Sequence, residues 1–283
     1  MVNMTSQVLR MKTSKLVALL KAMKRECVIS GKKVSQVHSG LLEFSAGIQQ
    51  VTSLSLVKDG ITGWSRLHAE TLNVAEQSME YPIADIDLLL GALKAHGSEV
   101  SITSETMGTH KLRIKSTGKS TTLTSSALAL AFPNGQETIA SWWAKSIKID
   151  DKFDASADCY ITGSGEELPT TINYDSVCAE TFATGIEAAY LNGQTVESVV
   201  FEAGPHGFRI HAGKHQRGKT VTTIHEWTDQ IIGTYVLGGG LENVVRYLGP
   251  NGNIHIGFIP WPGKDEALMW LRGDNGYVIR RVK

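Results

Sequence analysis

A helix-then-strands module is written twice in this chain, and this repetition limits the folds that the chain can adopt. Residues 81–125 begin with Tyr-Pro-Ile and an amphipathic segment, then continue into three strand-like runs at 100–103, 111–115 and 120–125. Residues 233–282 repeat that order, with a short amphipathic segment followed by runs at 253–259, 267–271 and 277–282. Repetition of one supersecondary unit predicts that the units stack into a larger symmetric surface.

The same order recurs more faintly at two other places. Residues 12–26 predict a helix, because their leucines and Met23 share one stripe at 3.6 residues per turn, and strand-like runs follow at 41–44 and 51–57. Asp175 is the expected N-cap of another helix, and runs at 198–202, 207–211 and 220–226 follow it. The chain therefore predicts an α+β fold in which each half holds two helix-plus-strands modules.

A stretch without a clean period separates the two halves. It contains the turn signal Phe132-Pro-Asn-Gly135, and each flanking region has the size of a domain with its own core. We therefore expect an N-terminal domain at 1–127, an inter-domain connector at 128–152 and a C-terminal domain at 153–283.

Charge is distributed unequally although the net charge is zero. Residues 1–127 hold 15 Lys and Arg against 10 Asp and Glu, and residues 153–283 hold 10 against 15. Such asymmetry indicates a nucleic-acid surface or association between complementary charges on two chains.

The composition also narrows the class of protein. No run of about 18 apolar residues supports a membrane span, and three cysteines without a close pair indicate neither a disulfide framework nor a zinc site. The N-terminal residues have helical spacing rather than the apolar core of a signal peptide. We expect a cytoplasmic protein. The cytoplasm of a phage-infected bacterium also fits this expectation.

One loop matches a motif of nucleotide hydrolases. Gly213 to Thr220 fits G-x-x-x-x-G-K-[ST], but that chemistry requires a helix directly after the loop to hold the phosphates. The residues that follow Lys219 are β-branched and predict a strand instead. His206, His211 and His215 lie nearby without carboxylate or cysteine ligands, so we predict no metal and no cofactor.

Exposed basic residues fall on the predicted helices. If equivalent helices line one surface, their cations converge on a single polyanion, with sequence-independent contacts to phosphates.

With these features, the chain resembles the sliding clamps of DNA replication, the proliferating cell nuclear antigen group and its phage counterparts. The resemblance is carried by residues 81–94 before the strand at Val100, by the connector, and by residues 240–248 followed by strands. It implies a DNA clamp fold, with two similar domains that each pack two helices on curved antiparallel sheets. It further implies a homotrimeric ring with no active site, which encircles double-stranded DNA and binds a DNA polymerase and a clamp loader through short peptides.

The resemblance also assigns site residues. The DNA-facing set comprises Lys12, Lys15, Lys21, Arg25, Lys94 and Arg246. The pocket for partner peptides comprises Ile48, Ile139, Trp142, Val278 and Val282. The subunit interface pairs Thr121, Thr122 and Thr124 on one edge strand with Thr220, Thr222 and Thr223 on another.

Two alternatives remain open from the residues alone. One is a nucleotide hydrolase that uses Gly213 to Thr220, and the other is a phage structural protein that forms rings without DNA. The third helix offers Glu180 and Glu187 but no basic residue, which weakens a basic surface in the second half.

Overall fold

The computed structural model describes most of the chain. The described residues are 8–29, 32–35, 37, 40–56, 63–107, 109–125, 147–149, 157–161, 166–191, 199–204, 207–212, 220–225, 233–237, 240–264 and 266–282. Ile139 and Trp142 of the predicted peptide pocket, and the loop residues 213–219, lie outside this set. None of the described helices is long and apolar enough to cross a membrane.

The described elements are four helices and twenty-one strands. The helices are α1 (Thr13–Lys24), α2 (Ile86–Leu93), α3 (Ala179–Leu191) and α4 (Glu242–Leu248). The strands up to the connector are β1 (Leu9–Lys12), β2 (Glu26–Ile29), β3 (Lys32–Ser35), β4 (Gly40–Phe44), β5 (Gln50–Leu56), β6 (Gly63–Glu70), β7 (Met79–Ile83), β8 (Glu99–Met107), β9 (Thr109–Ser116) and β10 (Lys119–Ser125). The later strands are β11 (Ile147–Ile149), β12 (Ala157–Ile161), β13 (Glu167–Pro169), β14 (Ile172–Cys178), β15 (Val199–Ala203), β16 (Phe208–Ala212), β17 (Thr220–His225), β18 (Gly233–Leu237), β19 (Asn253–Pro260), β20 (Ala267–Gly273) and β21 (Gly276–Val282).

The chain divides into two compact units. Unit 1 comprises Met1–Lys24, Val37–Leu56 and Ser65–Gln136, and unit 2 comprises Arg25–Gln36, Val57–Trp64 and Glu137–Lys283. Unit 2 thus takes two short segments that come early in the chain. The predicted boundaries at 127 and 153 stay a prediction, because residues 126–146 lie outside the described set.

Both units use the same strand order. In unit 1, strands β1-β8-β9-β10 form one sheet, and β6-β5-β4-β7 are neighbours in another. In unit 2, β14-β19-β20-β21 and β17-β16-β15-β18 have the equivalent orders. The pairs β1/β8, β8/β9, β14/β19 and β15/β16 are antiparallel, and the two similar modules expected in each half are present. Unit 2 also holds the strands β11-β12-β13 and the hairpin β2-β3.

Side-chain alternation explains the sheets of unit 1. Leu112 and Ile114 of β9 are fully buried, Arg113 between them is half-exposed, and Lys111 and Lys115 on either side are exposed. On α1, the fully buried residues are Leu16, Leu19, Leu20 and Met23, the stripe that the sequence predicts. Burying this stripe removes apolar surface from water, which is the main stabilising term for such a helix.

Helix α2 begins at a specific cap. Asp85 has an extended backbone, and its carboxylate accepts a hydrogen bond from the Leu88 backbone N–H at 3.0 Å. This bond satisfies one of the free N–H groups of the first turn, as expected for this residue type.

Helix α3 begins later than predicted. Asp175 is not its N-cap, because β14 continues to Cys178 and pairs with β19 before the helix begins at Ala179. The register shifts between Tyr174 and Val177, where Ser176 adopts a left-handed φ of 66°. A bulge therefore occupies the position at which a helix start is predicted from the sequence.

Candidate nucleic-acid interface

Four of the six predicted cationic residues lie on or beside the helices of unit 1. Lys15 and Lys21 are in α1, Lys94 is the C-cap of α2, and Lys12 is the last residue of β1. Lys12, Lys15, Lys21 and Lys94 are exposed, and none of them forms a salt bridge with a described residue. Their ammonium groups are therefore available to an anion in solvent. The structure thus brings four of the six predicted residues to the surface of one unit.

A fifth cation links the two helices instead of facing solvent. The Lys24 ammonium donates to the Asp87 carboxylate at 2.7 Å, and the Lys24 side chain is only 9% exposed. This ion pair fixes α2 against α1, so it orients the surface on which Lys21 and Lys94 lie. The sequence does not predict this ion pair, because the two residues are 63 positions apart.

Arg25 does not belong to the exposed basic face, so this assignment is wrong. Helix α1 ends at Lys24, and Arg25 adopts a left-handed φ of 50°, which turns its side chain away from the helical path. Its guanidinium is fully buried and has no hydrogen-bond partner in the described part of the chain. Burial, and secondarily Arg280, lower the Arg25 pKa to about 9.

Arg246 of α4 is exposed only in part and is already engaged. Its guanidinium donates to Glu187 at 2.6 and 3.0 Å and to Glu180 at 2.8 and 2.9 Å. These bonds to Glu187 and Glu180 raise the pKa of Arg246, and the bond from Arg246 lowers the pKa of Glu180. Two carboxylates thus neutralise this cation, and the α3–α4 surface offers little attraction to phosphate.

Glu242 adds to the acidic character of this helix pair. It is 4% exposed, and burial raises its pKa to about 7, with a further contribution from Glu187. Of the two helix pairs, α1 and α2 therefore carry the basic surface, while the charged residues of α3 and α4 compensate one another.

Two residues of the predicted peptide pocket are buried, and the assignment of Ile48 stays a prediction. Ile48 is 49% exposed, but Val278 and Val282 are fully buried, so these two valines cannot line an open pocket. Ile279 and Arg280 between them are also buried, so this part of β21 lies in the core of unit 2. Ile139 and Trp142 lie outside the described residues.

An exposed apolar patch surrounds Ile48 in unit 1. Val8, Leu72 and Val74 are 47%, 37% and 45% exposed, and their segments are joined by backbone contacts to the strand β1 and to the loop of Ile48. Asn73 donates to the Val8 carbonyl at 2.9 Å, and the Ala75 N–H donates to the Ile48 carbonyl at 3.4 Å. We call Val8, Ile48, Leu72 and Val74 the loop patch. Isolated apolar residues in loops gave no signal for it in the sequence.

The predicted interface threonines lie on strands at sheet ends. Thr122 and Thr124 of β10 are exposed, and Thr121 accepts or donates a 2.9 Å bond with Nε2 of His96. Thr220, Thr222 and Thr223 belong to β17 in register with β16. Within the described residues, β10 pairs only with β9, and β17 only with β16.

The described residues directly after the loop 213–219 lack the helix that a nucleotide hydrolase needs there. Thr220 begins strand β17, so a strand and not a helix follows the loop, as the β-branched residues predict. His211 lies beside Glu202 at 2.8 Å, and no cluster of metal-binding side chains is found among the described residues.

Comparison with known proteins relates this fold to one group of solved structures. The chain matches proliferating cell nuclear antigen (PCNA) of Thermococcus kodakaraensis with a TM-score of 0.56 and 13% identity, over 97% of this chain and 98% of that one. It matches the PCNA of A. fulgidus, solved with the C-terminal region of FEN-1, with a TM-score of 0.55 and 13% identity, over 97% and 96%.

The third comparison involves a longer chain. The DNA polymerase III beta subunit of Thermotoga maritima matches with a TM-score of 0.60 and 11% identity, over 97% of this chain and 64% of that one. No protein-family model and no curated protein sequence matches the chain. Identities this low establish architecture alone, and both sets of matches agree on it. This chain has the DNA sliding-clamp fold, as its resemblance to that group implies.

Proposed function

We propose that this protein is a DNA sliding clamp, a ring-forming processivity factor that encircles duplex DNA and tethers a DNA polymerase. The observation that carries the proposal is the repeated strand order of the two units, in a chain that corresponds to PCNA over nearly its whole length. A clamp acts by enclosure and tethering, so the chain needs no catalytic group of its own.

The length of the match supports a ring of three copies. The chain covers 98% of a PCNA chain but only 64% of a beta subunit, so it contains fewer repeated units than the latter. Strands β10 and β17, each at the end of its sheet among the described residues, offer free hydrogen-bonding edges that a head-to-tail neighbour can pair.

The exposed lysines of α1 and α2 are the proposed DNA contacts. Lys15, Lys21 and Lys94 present long flexible ammonium groups, which suit sequence-independent binding to phosphates. Lys12 lies on strand β1 and not on a helix, so we do not assign it to this face. The paired Arg246 is not expected to contribute a contact. The loop patch around Ile48 is the proposed docking surface for an apolar anchor of a polymerase or clamp-loader peptide.

The solution mass tests the ring. Light scattering across a dilution series is expected to give the mass of three chains of 30.7 kDa each. A monomer at every concentration would remove the enclosure on which the proposal depends, and a stable dimer would contradict the three-copy assignment.

Duplex binding tests the helix face separately. The variant Lys15→Ala/Lys21→Ala removes two phosphate contacts, so the slope of log affinity against log salt should fall by about 1.8. The matched control Lys32→Ala/Lys264→Ala removes two exposed charges from unit 2 and should keep the original slope. Equal slopes for both variants would contradict the assignment of α1 to DNA.

A further inference from the structure

A second basic surface lies on the sheet of unit 1, away from the helix face. Strand β9 places Lys111, Arg113 and Lys115 on one side of the sheet, because Leu112 and Ile114 between them are fully buried on the other. Strand β1 adds Arg10 and Lys12 in the same way, since Leu9 and Met11 are fully buried. We call the side that bears these five cations the outer face.

The register across the sheet aligns these cations with hydroxyl groups. Arg10 lies opposite Ser101, Ser101 opposite Lys115, and Lys115 opposite Ser120, so one row crosses all four strands. In the next rows, Arg113 lies opposite Thr122 and Lys111 opposite Thr124. The outer face therefore presents positive charges interleaved with hydrogen-bond donors.

Little acidic charge compensates this surface. Among the side chains that the structure describes on this face, Glu99 is the acidic one, against five basic ones. Glu99 approaches Arg10 at 4.0 Å, with both side chains more than half exposed, so this pair is weak. Lys111 and Lys115 are exposed and form no salt bridge with any described residue.

A polar cleft lies within the outer face. It has a volume of about 260 Å³ and is bordered by Arg10, Glu99, Val100, Ser101, Lys115, Ser116 and Thr117. The Ser116 hydroxyl already bonds to Nδ1 of His96 at 2.9 Å. The two cations and the hydroxyls of Ser101 and Thr117 form a donor set that suits the oxygens of a phosphate group, although the Glu99 carboxylate opposes an anion at one side.

We propose that the outer face binds the phosphate backbone of a single nucleic-acid strand. The inference goes beyond the proposed function, because it concerns a different surface from the helices that face duplex DNA. The composition of the outer face indicates which class of partner it binds. Protein partners bury an apolar core, whereas nucleic-acid interfaces are polar and strongly positive.

The outward residues of β8, β9 and β10 have the polar and positive composition of a nucleic-acid interface. The exposed or half-exposed residues at these positions, where the structure describes the side chain, are Glu99, Ser101, Lys111, Arg113, Lys115, Ser120, Thr122 and Thr124, and none of them is apolar. None is aromatic either, so the face offers no platform for stacking bases, and contacts through the backbone alone are sequence-independent.

The geometry favours one flexible strand over a duplex. Alternate residues of β9 repeat about every 6.7 Å, so the three cations form a line. A flexible strand can follow this line and the twist of the sheet with successive phosphates. A rigid duplex presents its phosphates on a cylinder and meets a sheet face at few of them.

Fluorescence anisotropy with a labelled oligothymidylate of about 20 nucleotides tests the proposal on the full chain. The variant Lys111→Ala/Lys115→Ala should weaken binding about tenfold at low salt and lower the salt slope by about 1.4, for two lost single-strand contacts. The control Lys32→Ala/Lys264→Ala should bind like the original protein. Unchanged binding by the Lys111/Lys115 variant, or an equal loss in the control, would overturn the assignment.

Two further arms identify the occupant. Binding of a blunt hairpin duplex of similar length should be weakened by Lys15→Ala/Lys21→Ala and not by Lys111→Ala/Lys115→Ala. Binding of oligothymidylate should be weakened by Lys111→Ala/Lys115→Ala and not by Lys15→Ala/Lys21→Ala. If the affinity for oligothymidylate falls only when Lys15 and Lys21 are replaced, the strand binds the helices and the proposal is overturned. Competition by polyglutamate of equal charge, as effective as oligothymidylate, would indicate an acidic protein partner instead.

These arms separate the two proposals. If Lys15→Ala/Lys21→Ala leaves duplex binding unchanged while Lys111→Ala/Lys115→Ala loses oligothymidylate, the helix assignment fails and the outer face stands. Unfolding in urea with an unchanged midpoint confirms that each variant is folded, since the four substituted lysines are exposed.

Discussion

At the scale of single residues, the ion pair between Lys24 and Asp87 is the contact that fixes the candidate DNA face. The substitution Asp87→Ala removes the carboxylate that pairs with Lys24, whose side chain is 9% exposed. The Asp87 side chain is 60% exposed, so water weakens this pair on one side, and its loss should lower the free energy of unfolding by about 1–2 kcal/mol. Urea denaturation measures this change.

The exposed pair between Arg10 and Glu99 is the matched control. Both side chains are more than half exposed and 4.0 Å apart, so Glu99→Ala should change the free energy of unfolding by less than about 0.5 kcal/mol. A loss for Asp87→Ala no larger than for Glu99→Ala would show that Lys24 does not depend on its partner.

Glu242 gives a second residue-scale prediction, which concerns pH. Its folded pKa of about 7 is above the ordinary value of 4.5, so the folded state holds a proton that the unfolded state has lost between these pH values. The contribution of Glu242 to stability therefore declines as pH rises from about 4.5 to 7, and then stays constant.

Glu242→Gln should remove this decline. Relative to the original protein, the variant should gain about 2–3 kcal/mol in free energy of unfolding between pH 5 and pH 8, as measured by urea denaturation at both values. Parallel pH profiles for the two proteins would mean that Glu242 titrates normally in the folded state.

At the scale of elements, strands were predictable because alternation needs only local sequence. The run at 111–115 predicts β9 to within two residues at either end, and the runs at 253–259, 267–271 and 277–282 predict β19, β20 and β21 closely. The same alternation could have identified the outer face, since basic and apolar residues strictly exchange along β9.

The site was less predictable because it depends on contacts between distant residues. Periodicity extended the basic face of α1 to Arg25, but the helix ends one residue earlier and the left-handed turn buries that side chain. Arg246 has the expected position on α4, yet Glu180 and Glu187, about 60 residues away, neutralise it. Helical spacing within one element carries no information about such pairs.

Glycine substitutions test the packing of two elements in opposite directions. Gly91 lies inside α2, is exposed, and has open space where a side chain would extend. Because glycine loses more backbone freedom than alanine, Gly91→Ala should raise the free energy of unfolding by about 0.5–1 kcal/mol. A lower value, measured in urea, would show that α2 needs the glycine for a contact.

Gly257 of β19 should respond in the opposite way. A methyl group at this position would overlap the indole of Trp270, which lies directly opposite on β20 and is 1% exposed. Gly257→Ala should therefore lower the free energy of unfolding by about 1–3 kcal/mol through overpacking. A blue or red shift of tryptophan fluorescence would report the displaced ring, and an unchanged stability would mean that Trp270 can move without cost.

At the scale of the whole molecule, the repeated strand order makes β10 the natural place for a neighbouring copy. It ends the sheet β1-β8-β9-β10, and within the described residues its second edge is unpaired. A row of unpaired N–H and C=O groups along seven residues invites pairing with another strand.

Proline at two consecutive positions of β10 tests this edge. Successive N–H groups of a strand point to opposite edges, so one of Thr122 and Leu123 donates toward β9 and the other away from it. Of Thr122→Pro and Leu123→Pro, one should lower the free energy of unfolding by disrupting the bond to β9. The other should leave unfolding nearly unchanged but shift the light-scattering mass from three chains toward one. Assembly that survives both substitutions would exclude β10 from the subunit interface, whatever the function of the ring.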